Sequence, residues 1–153
     1  MSIPATALTS AVLTTDVTAR SKARKRALDI LFESDQRSIP ALEVLDRNVE
    51  SATSPLNPLV AQLVHGVTSH LVAIDEAIET YAEGWSLDRM PAVDRALARL
   101  GVYEIVFEKD TPDEVTIDEV VTLAADISTD ESPAFLNGLL ARVAKIKHRI
   151  TIE

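Results

Sequence analysis

Hydrophobic residues recur every three or four positions along most of the chain, a spacing typical of amphipathic α-helices. The longest such series predicts one helix over about residues 58–82. Its apolar positions are Leu63, Val67, Leu71, Ile74, Ile78 and Tyr81. The same spacing predicts a helix from Val93 to Phe107 and a last helix from Phe135 to Ile146.

Shorter helices are predicted near residues 20–36, 40–51 and 117–128, with a turn of helix around 86–89. No convincing pair of strands is present. We therefore predict an all-α protein of about seven helices.

Helix starts are indicated by local capping signals. Asn57 and Ser132 each precede a proline and are expected to act as N-caps. Thr116 and Glu119 have the spacing of a capping box, and we favour them over Thr111 and Glu114 as the start of the sixth helix.

Three of the four glycines lie inside predicted helices, at positions 66, 101 and 138. Glycine in a helix interior costs about 1 kcal/mol relative to alanine. We interpret each one as a point where a neighbouring helix approaches closely.

Charge is distributed unevenly along the chain, which has a formal net charge of -9. Residues 27–141 contain six cations and twenty-two acids, whereas the segments on either side are basic. Residues 1–18 are interpreted as a flexible N-terminal tail and residues 19–150 as one domain. The absence of cysteine excludes disulfides and thiolate metal sites, and no apolar run is long enough to span a bilayer.

The N-terminal cations are concentrated within seven positions: Arg20, Lys22, Arg24, Lys25 and Arg26. Positive charge at a helix N-terminus opposes the helix dipole by about 0.3–1 kcal/mol per group. We expect these turns to project beyond the helical body, partly disordered, and to become ordered on RNA.

Candidate catalytic chemistry is sparse. The three histidines, at positions 65, 70 and 148, do not share a helix face, and no nucleotide-binding or hydrolase motif is present. Glu104 lies on an apolar helix face, and we interpret it as a buried structural carboxylate paired with an arginine or a helix cap. We predict no catalytic residue, no metal and no cofactor.

Three stretches of the sequence resemble the NusB family of bacterial transcription antitermination factors, in an actinobacterial form. They are KARKRALDILFESD, RMPAVDRALARLGVYEIVF and VTIDEVVTLAADISTDESPAFLNGLLARV. The similarity covers about residues 20–147, and its FLNG segment is quite specific. The resemblance implies a fold of two packed three-helix units and no enzymatic activity.

The resemblance also implies candidate site residues. Those expected near RNA are Arg20, Lys22, Arg24, Lys25, Arg26, Tyr81, Arg99, Phe135 and Asn137. Those expected at a protein partner are Phe32 and Asp94. Glu131 lies beside the RNA region, where its charge is expected to oppose RNA.

The implied RNA is the boxA element of nascent ribosomal RNA transcripts. The implied partner is the small-subunit ribosomal protein that acts as Nus factor E, and the pair joins other Nus factors and RNA polymerase in the cytoplasm. The resemblance also allows a homodimer that covers the RNA site.

Two alternatives remain open at this stage. One is an acidic helical adaptor that binds only proteins. The other is the NusB-like domain of an rRNA cytosine methyltransferase, although that enzyme needs a glycine-rich cofactor loop and a cysteine nucleophile that this chain lacks.

Overall fold

The structure is a computed structural model, and it describes the backbone of residues 5–150 and the side chains of residues 18–150. This part of the chain contains seven α-helices and no strand. The helices are α1 (Ala5–Arg37), α2 (Ala41–Ser51), α3 (Pro58–Ser69), α4 (Leu71–Tyr81), α5 (Ala92–Phe107), α6 (Asp113–Ile127) and α7 (Ser132–Ile146). Two single 3₁₀ turns are Leu87–Arg89 and Lys147–Arg149.

The helices form two packed groups. Helices α1, α2 and α3 pack on one another, and helices α5, α6 and α7 form the second group. Helix α4 packs against α5 and α7. Eleven of the sixteen residues of α5 are buried, because α5 also contacts α1 and α3. This arrangement confirms the predicted all-helical class and makes α5 the centre of the core.

The prediction of a single helix over residues 58–82 is wrong, because the helix is interrupted at His70, which separates α3 from α4. His70 has φ -113° and ψ 20°, and its imidazole stacks on Phe107 with ring centroids 3.9 Å apart. The hydrophobic spacing continues through the break because both helices bury a face against the core. Periodicity alone therefore cannot reveal this interruption.

Two predicted helix starts differ from the structure. Helix α6 begins at Asp113, directly after Pro112, so Thr116 is a buried residue inside the helix rather than its cap. Ser132 is the first residue of α7, and its hydroxyl bonds to Asp94 instead of capping the helix. The Asn57 cap is confirmed, since Asn57 Oδ1 accepts from Leu59 N at 2.9 Å.

Close helix approach is confirmed at two of the three glycines. A Cβ added to Gly66 would lie 2.1 Å from Tyr103 Cζ, and one added to Gly101 would lie 2.8 Å from Leu140 Cδ1. Gly138 differs, because its nearest neighbour is the flexible Arg142 guanidinium on its own helix.

Helix α1 begins at Ala5, earlier than the start near residue 20 that the pattern indicates. Residues 1–4 and the side chains of residues 5–17 lie outside the described part of the chain. The predicted flexible tail over residues 1–18 therefore stays a prediction.

Candidate nucleic-acid interface

Three cations of the predicted basic segment of α1 are accessible. Lys22 and Arg26 are exposed, and the side chain of Lys25 is 43% exposed. Lys25 Nζ donates to Asp29 Oδ1 at 2.6 Å, and Arg26 Nη1 donates to Asn48 Oδ1 at 3.3 Å. Exposed interactions of this kind contribute only about 0–1 kcal/mol. Phosphate oxygens can therefore compete for these cations at little cost.

The first basic turns of α1 lie against the rest of the protein. Arg20 Nη2 donates to Thr111 Oγ1 at 2.9 Å, and Ser21 Oγ donates to Glu119 Oε1 at 2.8 Å. These contacts join α1 to the α5–α6 loop and to α6. The expectation that this segment projects beyond the helical body is therefore wrong.

Arg24 is buried, with 2% of its side chain exposed, and it forms an ion pair with Glu104 of α5. Arg24 Nε lies 3.0 Å from both carboxylate oxygens. Burial raises the pKa of the Glu104 carboxyl, and the hydrogen bonds from Arg24 act in the opposite direction. The expectation that Arg24 contacts RNA is corrected, because its guanidinium has no surface for a phosphate. The prediction of a buried, arginine-paired Glu104 is confirmed.

Asp94 is also buried, near the first turn of α5, with 3% of its surface exposed. Its two carboxylate oxygens accept from Ser128 Oγ at 2.5 Å and from Ser132 Oγ at 2.8 Å. The side chain therefore connects α5 to the α6–α7 junction. This placement corrects the expectation that Asp94 meets a partner as an open surface charge.

A cleft beside Asp94 is walled by two aromatic rings. Trp85 and Phe135 meet edge to face, with ring centroids 6.5 Å apart, and Trp85 is 42% exposed. The cleft has a volume of about 320 Å³ and is also lined by Pro91, Asp94, Thr129, Asp130, Glu131 and Ser132. Sequence reasoning selected Phe135 and missed Trp85. The signal was the single tryptophan of the chain next to a predicted turn of helix.

The other residues expected near RNA have different surroundings. Arg99 is paired with Asp75, with Nε–Oδ1 and Nη2–Oδ2 distances of 2.9 and 3.1 Å. Tyr81 is half-buried against the core, and its carbonyl accepts from Arg142 Nε at 2.9 Å. Asn137 is exposed on α7, two residues after Phe135.

Phe32, expected at the protein partner, is half-buried and packs against the core. One turn later on α1, Asp35 Oδ2 accepts from Arg95 Nη2 at 2.7 Å. This surface therefore combines an accessible aromatic edge with charges that are already paired.

The candidate RNA residues do not converge on one point. The α1 cations flank Arg24, which meets α5 at Glu104, whereas the aromatic cleft lies at Asp94. Ten residues of helix separate these two positions, or about 15 Å. An RNA that contacts both regions has to span about this distance.

The described residues contain no group of three or more acidic, histidine or cysteine side chains arranged to hold a metal ion. Among them, no helix has the length and apolar character needed to cross a membrane.

The fold and the accessible cations define an all-helical protein with a basic strip on its first helix and an acidic body. Residues 21–145 match the model of the NusB family. The chain belongs to the NusB family, whose matched members are transcription antitermination proteins. This membership confirms the predicted family and the prediction that the protein is not an enzyme.

Two actinobacterial relatives are similar over nearly their full length. A transcription antitermination protein NusB of Arthrobacter sp. is 50% identical over 131 residues, or 86% of this chain and 96% of the relative. The protein of the same name from Salinispora arenicola is 52% identical over 134 residues, or 86% of this chain and 98% of the relative.

Solved structures support the same assignment. T. maritima NusB superposes with a TM-score of 0.75 at 36% identity, covering 82% of this chain and 90% of that one. A structure of NusB and NusE in complex with dsRNA has a TM-score of 0.75 at 27% identity, covering 84% of this chain and 97% of that one.

Proposed function

We propose that this protein is an RNA-binding antitermination factor that binds the boxA element of nascent ribosomal RNA transcripts together with Nus factor E. The main evidence for RNA binding is the strip of accessible cations on α1, formed by Lys22, Lys25 and Arg26. A structural relative in complex with NusE and dsRNA supports the same assignment.

In the proposed function, the cations of the α1 strip supply the phosphate contacts that give RNA its affinity for the protein. Each phosphate neutralised on a single strand contributes about 0.7 to the slope of log K against log salt. Arg20 is half-buried, and its guanidinium donates to Thr111 Oγ1. Arg20 adds a further phosphate contact when it donates to a phosphate oxygen instead of to Thr111. Three or four such contacts give modest affinity, so a second binding protein is needed for tight recognition.

The aromatic cleft provides a second RNA contact. Unpaired bases stack on aromatic rings with about 1–3 kcal/mol per base. Phe135 and Trp85 present such rings, and Asn137 adds an exposed amide on the same helix as Phe135. We assign Tyr81 and Arg99 supporting roles rather than base contacts, because both side chains already pack or pair within the protein.

The acidic body accounts for the protein partner. Residues 27–141 have a formal charge of -16, and ribosomal proteins are generally basic, so long-range attraction favours their encounter. Phe32 gives this surface an apolar contact point. The complex then joins other Nus factors on RNA polymerase in the cytoplasm, and a homodimer that covers the RNA site would compete with it.

The decisive experiment measures binding to a boxA-like single strand with and without the purified ribosomal partner. We expect weak, salt-dependent binding by the protein alone and tighter binding with the partner present. A protein-only adaptor, the competing function, would bind the partner with no gain from RNA.

A further inference from the structure

The basic part of α1 and the basic C-terminal segment of the chain meet at one end of the helical body. Arg20 Nη2 donates to Thr111 Oγ1 at 2.9 Å, and Lys147 Nζ donates to both carboxylate oxygens of Asp113 at 3.1 and 3.0 Å. Thr111 and Asp113 are two positions apart, so about 7 Å at most separates their Cα atoms. Arg20 and Lys147 therefore contact the same short segment, although they come from opposite ends of the sequence.

The C-terminal cations are attached to backbone that packs on the core. The 3₁₀ turn Lys147–Arg149 contacts α5 and α7, and Ile150 N donates to Lys147 O at 3.2 Å. The side chain of Ile150 packs against the hydrophobic core. We define the C-terminal patch as the three exposed cations of this region, Lys145, Lys147 and Arg149.

The cations of the C-terminal patch are available to a ligand. Lys145 and Arg149 form no hydrogen bond or ion pair within the described part of the chain. The ion pair of Lys147 with Asp113 is partly exposed, with 43% of the lysine side chain accessible, so it contributes only about 0–1 kcal/mol. Lys145 lies in the last turn of α7, where the helix dipole favours a cation, but Arg149 lies beyond the helix, where the dipole does not account for it.

The charges around the patch favour a polyanion. The neighbouring segment 108–114 contains four acids and one cation. Two of these acids are engaged, because Asp113 pairs with Lys147 and Glu108 accepts hydrogen bonds from two side chains. Asp110 and Glu114 are exposed, but the patch cations outnumber them, and the adjoining α1 strip adds three more cations. Since residues 27–141 have a formal charge of -16, a polyanion is attracted to this end and repelled by most of the remaining surface.

We propose that the C-terminal patch binds phosphates of the RNA that flanks the boxA element. This inference rests on the proposed function and extends its RNA path. The α1 strip begins at Lys22, two residues after Arg20, so a strand bound to the strip lies next to the patch. The aromatic cleft is at the opposite end of α5, near Asp94, whereas Thr111 follows the end of α5. Lysine and arginine contact phosphate oxygens with little dependence on base sequence, so the patch adds affinity rather than sequence recognition.

The test uses fluorescence anisotropy with three labelled RNAs. One is the boxA-like strand, and the other two are the same strand lengthened by about six uridines at its 5′ end or at its 3′ end. The uridine extension supplies phosphates without adding boxA sequence. The patch variant replaces three residues by Gln: Lys145, Lys147 and Arg149. Arg20 is left unchanged because its bond to Thr111 joins α1 to the α5–α6 loop.

The matched control removes the same formal charge from exposed positions outside the patch. It carries Arg37→Gln, Arg47→Gln and Arg89→Gln, in the last turn of α1, in α2 and in the first 3₁₀ turn. Circular dichroism confirms folding of both triple variants, which substitution of exposed residues should preserve.

We expect one of the extended strands to bind the unmodified protein about tenfold more tightly than the boxA-like strand at low salt. Its salt slope should be steeper by about 2, because three cations neutralise up to three further phosphates at about 0.7 each. The patch variant should lose both the gain and the steeper slope while it still binds the boxA-like strand. The control should keep both.

The outcomes separate this inference from the proposed function. If the unmodified protein binds the boxA-like strand but gains nothing from either extension, the patch does not bind RNA and the proposed function stands. An equal gain in the patch variant and the control places the flanking RNA elsewhere and overturns the inference. Weaker binding of the ribosomal partner by the patch variant, with the RNA gain intact, assigns the patch to a protein and also overturns it. If the unmodified protein binds none of the strands, with or without the partner, both proposals are overturned.

Discussion

Arg24 of α1 and Glu104 of α5 form an ion pair inside the protein, each with 2% of its side chain exposed. The guanidinium Nε contacts both carboxylate oxygens at 3.0 Å, so the pair sets the position of α1 along α5. The cations next to Arg24 in sequence then point outward. Arg24, which the sequence grouped with the RNA-binding cations, is thus a structural residue that orients the proposed RNA-binding strip.

Removing one member of this pair should destabilise the fold strongly. Arg24→Met leaves the Glu104 carboxylate buried without a partner, a change that typically costs about 3–5 kcal/mol. Urea unfolding followed by circular dichroism measures the loss. The double variant Arg24→Met, Glu104→Leu should recover most of it, and Lys22→Gln should stay within about 0.5 kcal/mol of the unmodified protein. Equal stability of Arg24→Met and Lys22→Gln would contradict the burial.

The glycines should respond differently to alanine. Gly66→Ala places a Cβ 2.1 Å from Tyr103 Cζ, so the rigid ring has to move, at a cost of about 1–3 kcal/mol. At Gly138 the nearest atom is the mobile Arg142 Nη1 at 3.1 Å, and alanine gains up to about 1 kcal/mol in helix propensity. Thermal unfolding of both variants checks the contrast. A lower melting temperature for Gly138→Ala than for Gly66→Ala would refute it.

The α1 strip should determine the salt dependence of RNA binding. Replacing Lys22, Lys25 and Arg26 by Gln removes up to three phosphate contacts, which should reduce the salt slope of log K by about 2. Fluorescence anisotropy of a labelled boxA-like strand over a salt series measures the slope. The matched control replaces three exposed cations elsewhere, Arg37, Arg47 and Lys109, by Gln. Equal slopes for the two triple variants would remove the strip from the RNA site.

Glu131 should weaken RNA binding in the unmodified protein. It is exposed at the rim of the cleft that contains Phe135, where its charge opposes a nearby phosphate. Glu131→Gln should therefore tighten binding of the boxA-like strand severalfold, mainly at low salt. Asp126→Asn, an exposed change on α6, serves as the control. Weaker binding by Glu131→Gln would place RNA elsewhere.

Several features followed from local sequence signals. The helix from Ala92 to Phe107 was predicted within a residue or two, because its apolar spacing is regular. Asn57 was identified as a cap because its side chain bonds only two residues away. The prediction that Glu104 is buried followed from its position on an apolar face. Each of these depends on interactions within a few turns of one helix.

The all-helical class, the cluster of cations near the start of the chain and the acidic body were all predictable from the amino-acid pattern. Packing between distant helices was needed to show that Arg24 is buried while Lys22 and Arg26 are exposed, that the helix is interrupted at His70, and that Trp85 contacts Phe135. The two sets differ in the sequence separation of the interacting residues. Helical periodicity reports which side chains share a face, but the residue opposite that face comes from a helix distant in sequence, as Glu104 is 80 positions from Arg24.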